Sequence, residues 1–278
     1  MFKGRKLVIA TQHKKEQVIA PILEKEIGVT CFTNTLFNTD SLGTFSGEIE
    51  RKSSALDTLR AKCIQTAKLH QCDLAIGSEG SFGMHPTLFF SAADEEFLML
   101  LDLKNNLEIV TKELSTATNF GGETISNLQE LLAFAEKSCF PSHALILKSS
   151  EKNPTFIYKG IQSEKHLINK FEYLKKNFSK VHVETDMRAH MNPSRMQIIK
   201  KATQQLISKI QSCCPSCDTP GFDIILAKPG LRCSSCNLPT KSTLSWIYQC
   251  KKCAFEKESF FPYQKELEDP MFCDYCNP

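Results

Sequence analysis

Short apolar runs alternate with amphipathic stretches along the first 200 residues. KLVIA (6–10) is continuously apolar and reads as a buried strand. The next segment sets Val18, Ile19, Ile22 and Leu23 on one helical face, with Pro21 marking a kink or a later start. VTCF (29–32) is a second short strand. SALDTLRAKCIQTAKLH (54–70) is an amphipathic helix whose Leu56, Leu59, Cys63, Ala67 and Leu69 approximate one stripe. DLAI (73–76) is a strand that empties into a glycine-rich turn, GSEGSFG. Residues 97–103 and 107–111 form an antiparallel pair joined through Lys104, Asn105 and Asn106. Helices follow at 127–139 and 165–178, and strands at 143–148 and 180–185. A long helix over 193–213 has Pro193 at its first turn. The pattern predicts an α/β fold, a mixed twisted sheet with helices on both faces, over residues 1–205. A small separate module covers residues 206–278.

Composition changes little in this picture. The chain has 278 residues, 41% hydrophobic and 23% charged, the balance of an ordinary globular protein with a real core. A net charge of +3 is too small to indicate nucleic acid by itself. No stretch approaches the roughly 20 apolar residues that span a bilayer, so no membrane role is expected. The apolar run near the start is too short for a signal peptide, and a cytoplasmic location is the default expectation.

Cysteine placement changes the picture sharply. Of thirteen cysteines, Cys31, Cys63, Cys72 and Cys139 are scattered and read as small core residues. Eight others form four C-x-x-C pairs: Cys214/Cys217, Cys233/Cys236, Cys250/Cys253 and Cys273/Cys276, separated by 15, 13 and 19 residues. A C-x-x-C turn aims two thiolates at one tetrahedral ion, and two turns complete a four-sulfur site. Eight ligands make two zinc sites, a double zinc ribbon in which metal binding supplies much of the folding energy. The simplest pairing is sequential, first pair with second and third with fourth; an interleaved pairing is the alternative. Cys213 is spare. From residue 201 onward nine Lys/Arg face eight Asp/Glu, which gives little support for phosphate-backbone binding. Trp246, Tyr248, Phe255, Phe260, Phe261, Tyr263, Phe272 and Tyr275 either fill a thin core or stack on bases.

Four polar clusters follow strands. ATQHKKEQ (10–17) offers free N–H groups and two lysines to a phosphate, or is a solvated helix start. LGTFSGEIERK (42–52) brings Glu48, Glu50 and Arg51. SEGSFGMHP (78–86) brings Glu79 and His85. VETDMRAHMNPSR (183–195) brings Glu184, Asp186, Arg188, His190, Asn192 and Arg195. Ligands of open α/β sheets bind beyond the carboxyl ends of strands, where these clusters can converge. A phosphate-binding turn, carboxylates for a divalent ion and a general base are what phosphoanhydride hydrolysis requires.

ATQHKKEQVIAPILEKEIG, TFSGEIERKSSALDTLRAKC and DLAIGSEGSFG, in that order, resemble the pyrophosphatases of non-standard purine nucleoside triphosphates, the inosine/xanthosine triphosphatase-like fold. The resemblance covers about residues 5 to 150. It implies that Thr11, His13, Lys14 and Lys15 form the phosphate-binding turn and that Glu48 or Glu50 helps hold magnesium or manganese. Glu79 is then a metal ligand or general base. Asp186 and Arg188 are further candidates, as a catalytic carboxylate and a phosphate contact. SGEIERK, SEGSFG, ETDMR and DPMFCDYCNP together also resemble an uncharacterised bacterial family with paired C-terminal zinc ribbons. Two functions are therefore expected in competition. One is a divalent-metal hydrolase of nucleotides. The other is a non-enzymatic zinc-dependent protein that binds nucleic acid or a protein partner.

Overall fold

The structure, a computed structural model, describes residues 1–11, 13–33 and 54–278. The chain divides into two units, Met1–Leu206 and Ile207–Pro278.

The first unit opens with β1 (Lys6–Ala10), α1 (Glu16–Ile27) and β2 (Thr30–Thr33). Pro21 is accommodated inside α1, whose end is closed by Gly28 in the left-handed conformation at φ 68°. α2 (Ala55–Leu69) starts at Ser54, whose hydroxyl accepts the Asp57 N–H. Its apolar stripe, Leu59, Cys63 and Ala67, packs on Val8, Ala75, Met99 and Leu101. The strands beneath are β3 (Leu74–Met84), β4 (Ala92–Asp102) and β5 (Leu107–Ser115). β1 runs parallel to both β2 and β3, and β3, β4 and β5 are antiparallel, giving the order β2-β1-β3-β4-β5.

The expected glycine-rich exit turn is strand. Every residue from Leu74 to Met84 pairs with a partner on β4. Here Gly77 and Gly80 serve close approach, not a turn. A Cβ on Gly77 would stand 2.8 Å from Leu59 Cδ1 and 2.9 Å from Cys63 Sγ, so its place is taken by α2.

A second sheet in the same unit corrects the expectation of a single one. It is built from β6 (Gly122–Ile125), β7 (Leu145–Lys148), β8 (Ile157–Ile161) and β9 (Val181–Thr185), all antiparallel, in the order β6-β9-β7-β8. α3 (Leu128–Lys137) and α4 (Glu164–Lys175) cover it, with Leu131, Phe134, Leu167 and Phe171 against Ile125, Leu147 and Val183. β6 has one buried residue and β8 has one, so neither shows the apolar run that marks a strand. α5 (Pro193–Gln211) follows, its early turns in the first unit.

The second unit is small and mostly β. β10 (Asp223–Pro229), β12 (Thr243–Gln249) and β13 (Glu256–Phe260) form an antiparallel sheet, and β11 (Arg232–Cys233) pairs in parallel with β14 (Leu267–Glu268). Its core is thin: Phe222, Cys214 and Cys250, with Tyr248 stacked on Phe222 at 5.6 Å. Among the described residues, no helix is long and apolar enough to cross a membrane.

Candidate functional site

Alternation along β3 divides its side chains between two faces. Gly77 and Glu79 face α2, and Ser78, Gly80 and Phe82 face the opposite way. On the α2 side, Lys62 Nζ reaches Glu79 Oε2 at 2.6 Å. Both side chains are buried, so each charge depends on the other.

On the other face, β4 presents Asp94 and Glu96 opposite Phe82 and Gly80. Arg195, in the first turn of α5, donates from Nε to Glu96 Oε1 at 2.5 Å, donates from Nη1 to the Met187 carbonyl, and lies 4.9 Å over the Phe82 ring. Asn192 positions it by accepting the Arg195 N–H at 3.0 Å, and is itself tied to Asn119. Farther along α5, Gln205 and Lys201 both bond Glu113 on β5.

Lys15 links the two faces from the edge of β3. β1 leaves the sheet after Ala10 pairs with Gly77, which opens that edge. Lys15, just before α1, fills the gap: Nζ donates to Ser78 Oγ at 2.8 Å and to the Ser78 carbonyl at 3.3 Å, and stands 4.0 Å from Glu96 Oε2. Burial, together with the Arg195 charge, brings the Lys15 ammonium down to about 8, against the pull of Glu96 and Glu79. Asp94 moves the other way: burial first, then the Glu96 carboxylate, push it up to about 7, with Arg195 and Lys15 opposing. Three buried cations and three buried acids thus lie across the two faces of the sheet, Lys62 with Glu79 on one and Arg195 with Glu96 and Asp94 on the other, with Lys15 at the edge between them. Such a concentration is costly to build, and it is the kind of arrangement found both in functional sites and in structural ion-pair networks.

The other candidates are distributed around this cluster or away from it. Thr11 is buried and its hydroxyl accepts the His13 N–H at 3.4 Å. His13 stacks on His190 with ring centres 5.3 Å apart. Lys14 is exposed and adopts φ 56°. Asp186 is fully buried, binds Arg188 at 2.6 Å and accepts the Gly160 N–H at 3.0 Å, so these two side chains hold one another and the β8 backbone. His85 closes a local turn by accepting N–H groups of Thr87 and Leu88. Glu48, Glu50 and Arg51 lie outside the described residues. Lys62, Asp94 and Glu96 carry no motif and are visible only once the strands are paired.

The second unit gathers its eight C-x-x-C cysteines into two clusters, Cys214/Cys217/Cys250/Cys253 and Cys233/Cys236/Cys273/Cys276. The pairing is interleaved, first with third and second with fourth, in place of the simpler sequential threading. Sulfur separations across the pairs are 3.7 and 3.6 Å in one cluster and 3.8 and 3.6 Å in the other. Four ligands about 2.3 Å from a tetrahedral zinc stand about 3.8 Å from one another, so both donor sets fit that ion. All thirteen cysteines are free of disulfides.

The four turns repeat one design. In each, the N–H of the residue after the second cysteine returns to the carbonyl of the first: Asp218 to Cys214, Asn237 to Cys233, Ala254 to Cys250 and Asn277 to Cys273. Asp218, Asn237 and Ala254 adopt φ of 55°, 59° and 58°. Asp and Asn tolerate that region; Ala254 is the exception. The aromatic residues divide. Tyr248 packs in the core, whereas Phe260, Tyr263, Phe272 and Tyr275 are exposed.

The profile of a family described as Domain of unknown function (DUF6671) matches residues 62–278. No curated protein matches the chain. Among solved structures the chain is similar to the crystal structure of protein VC0702 from Vibrio cholerae. The identity is 10% and the TM-score 0.29, over 72% of this chain and 91% of that one, a likeness that carries no argument about this protein.

Proposed function

The chain belongs to the DUF6671 family, a membership that names no reaction, and on its own residues we propose that the α/β unit is a divalent-metal-dependent hydrolase of nucleotide phosphoanhydrides. Non-standard purine nucleoside triphosphates are the substrate class its sequence resemblance implies, and the second unit is an appendage built on two zinc ions. The observation that carries this reading is a pair of buried charge clusters on the two faces of the sheet, Lys62 with Glu79 and Arg195 with Glu96 and Asp94, joined by Lys15 at the open edge of β3. Its formal charges already cancel, so a polyphosphate enters favourably only when a divalent cation is present to offset its charge.

In this reading Lys15 and Lys62 neutralise charge that builds on the transferred phosphoryl oxygens. Glu79 takes the proton of the attacking water, and Lys62, its ion-pair partner, holds it in place. Thr11, His13 and Lys14 line the approach on the turn after β1. Divalent metal, when bound, polarises the phosphoryl group.

The test is a panel of nucleoside triphosphates, followed by released pyrophosphate and phosphate, with Mg²⁺ or Mn²⁺ and with chelator. Metal-dependent release is expected, reduced roughly hundredfold or more in Lys15→Met and in Glu79→Gln. Gln keeps an oxygen for Lys62, so circular dichroism should show the fold retained. Absence of turnover on every nucleotide, or full activity in Glu79→Gln, overturns the proposal.

A second reading, a zinc-dependent binding module, is favoured by one observation: Phe260, Tyr263, Phe272 and Tyr275 are all more than half exposed on the small second unit. If its partner is nucleic acid, affinity falls steeply with salt. If it is protein, affinity follows loss of these rings and is insensitive to salt.

A further inference from the structure

Asp94 and Glu96 stand two residues apart on β4, so both face α5. Both are fully buried. Glu96 Oε1 is taken by Arg195, but Glu96 Oε2 and both oxygens of Asp94 accept no hydrogen bond. Lys15 Nζ stands 4.0 Å from Glu96 Oε2, beyond hydrogen-bond reach, so the ammonium screens the charge without occupying the acceptor. Opposite Glu96 is Gly80, whose missing side chain leaves its volume to the Arg195–Glu96 ion pair, so the unpartnered Glu96 Oε2 and Asp94 oxygens are what remains to be met.

Three buried acceptors without donors are an expensive arrangement. A water brings two donors to three oxygens. A proton on Asp94 turns one oxygen into a donor that can serve Glu96 Oε2, and still leaves the second Asp94 oxygen without a partner. A hard dication meets all three at once, since it accepts lone pairs from carboxylates in any number its shell allows. We propose that Asp94 and Glu96 are the protein ligands of a divalent cation of the Mg²⁺/Mn²⁺ type, on the face of β3 and β4 opposite Glu79. Water completes the shell in the resting protein. On the hydrolase reading, which this inference deepens, phosphate oxygens that reach the ion past Lys15 at the open edge of β3 replace some of that water beside Arg195, while Glu79 acts from the other face. Binding of the ion itself does not depend on that reading.

The experiment uses the full chain with its zinc sites loaded. Mn²⁺ is titrated in and the free-ion electron paramagnetic resonance signal is followed, with Mg²⁺ as competitor. Zinc content is checked before and after, because the thiolate sites prefer the softer ion. One Mn²⁺ per chain is expected in the wild type, weakened roughly tenfold or more in Asp94→Asn and in Glu96→Gln. Glu95→Gln, one residue away on the other face, should bind as the wild type does. Thermal unfolding of the wild type should rise with Mn²⁺ or Mg²⁺, a readout that needs no variant. A wild type that neither depletes Mn²⁺ nor gains stability at millimolar metal overturns the site, as does full binding by Asp94→Asn. Mn²⁺ bound at this site without turnover of any nucleotide would count against the hydrolase alone. Metal-dependent turnover that survives Asp94→Asn would count against these ligands alone.

Discussion

Gly80 on β3 and Glu96 on β4 are directly paired, and a Cβ on Gly80 would stand 2.4 Å from Glu96 Oε1 and 2.5 Å from Arg195 Nη2. The ion pair occupies the volume a side chain would need. Only glycine at this position lets Arg195 cross the sheet face to reach Glu96.

Gly80→Ala should therefore force the buried pair apart and lower stability by about 3 kcal/mol or more, since overpacking is joined by a poorly compensated buried charge. Gly83→Ala is the matched control: a Cβ there meets nothing within 4 Å. Its effect should stay within about 0.5 kcal/mol. Denaturant melts of the two variants decide the matter, and equal losses would show that β3 simply disfavours alanine.

The Lys62–Glu79 pair should behave as a buried couple. Lys62→Met or Glu79→Leu alone strands a charge and should cost about 3–5 kcal/mol. Combining them should recover most of that loss, because two apolar side chains replace two charges beside Leu59 and Cys63. A double-mutant cycle from urea unfolding measures the coupling, and simple additivity would mean the 2.6 Å contact contributes nothing.

Metal content should report the threading of the second unit. The chain should hold two zinc ions by atomic emission. Cys217→Ser with Cys253→Ser damages one cluster and should leave one ion. Cys217→Ser with Cys236→Ser damages both and should leave none. Sequential threading demands the reverse outcome for each pair.

Acid should release the clasp between the chain's start and β4. Arg5 binds Asp102 through both of its terminal nitrogens, at 2.6 and 2.8 Å. Burial alone would raise the Asp102 carboxyl, but hydrogen bonds from Arg5 and Asn105 and the Arg5 charge hold it below its usual range. A carboxyl depressed in the folded state stabilises fully above its unfolded value, roughly pH 4, and loses that stabilisation as pH falls through the folded value. Asp102→Asn should lower stability at pH 7 and flatten the acid limb of the stability profile. An unchanged acid limb would remove Asp102 from the account.

Elements with a clean apolar period are legible in the sequence. KLVIA, the Leu59, Cys63 and Ala67 part of the α2 stripe and the Pro193 start of α5 emerge where their patterns place them, whereas Leu69 at the end of that stripe is exposed. SEGSFG is not, because glycine marks a turn and a close approach with the same letter. The atoms that distinguish them, from Cys63, Glu96 and Arg195, come from elsewhere in the chain. Among candidate site residues, Lys15 and Glu79 are found in the buried cluster, but their partners are hidden. Lys62 looks like an ordinary charge beside a helix stripe. Asp94-Glu95-Glu96 looks like a solvated acidic run until pairing with β3 and β5 turns its first and third members inward. C-x-x-C spacing announces two four-sulfur sites without saying which turns share an ion, since any two turns on a flexible chain can meet.

A consequence of the interleaved clusters concerns how such a unit can be inherited or dissected. With sequential threading, the stretch between Cys236 and Cys250 would be the natural seam, leaving an intact module on either side. Here that stretch is the worst place to divide, because both four-cysteine clusters would be split in half at once. No cut between the first cysteine pair and the last leaves both sites whole. The unit is transmissible only as a single cassette, and fragments designed around individual ribbons should yield unfolded peptides.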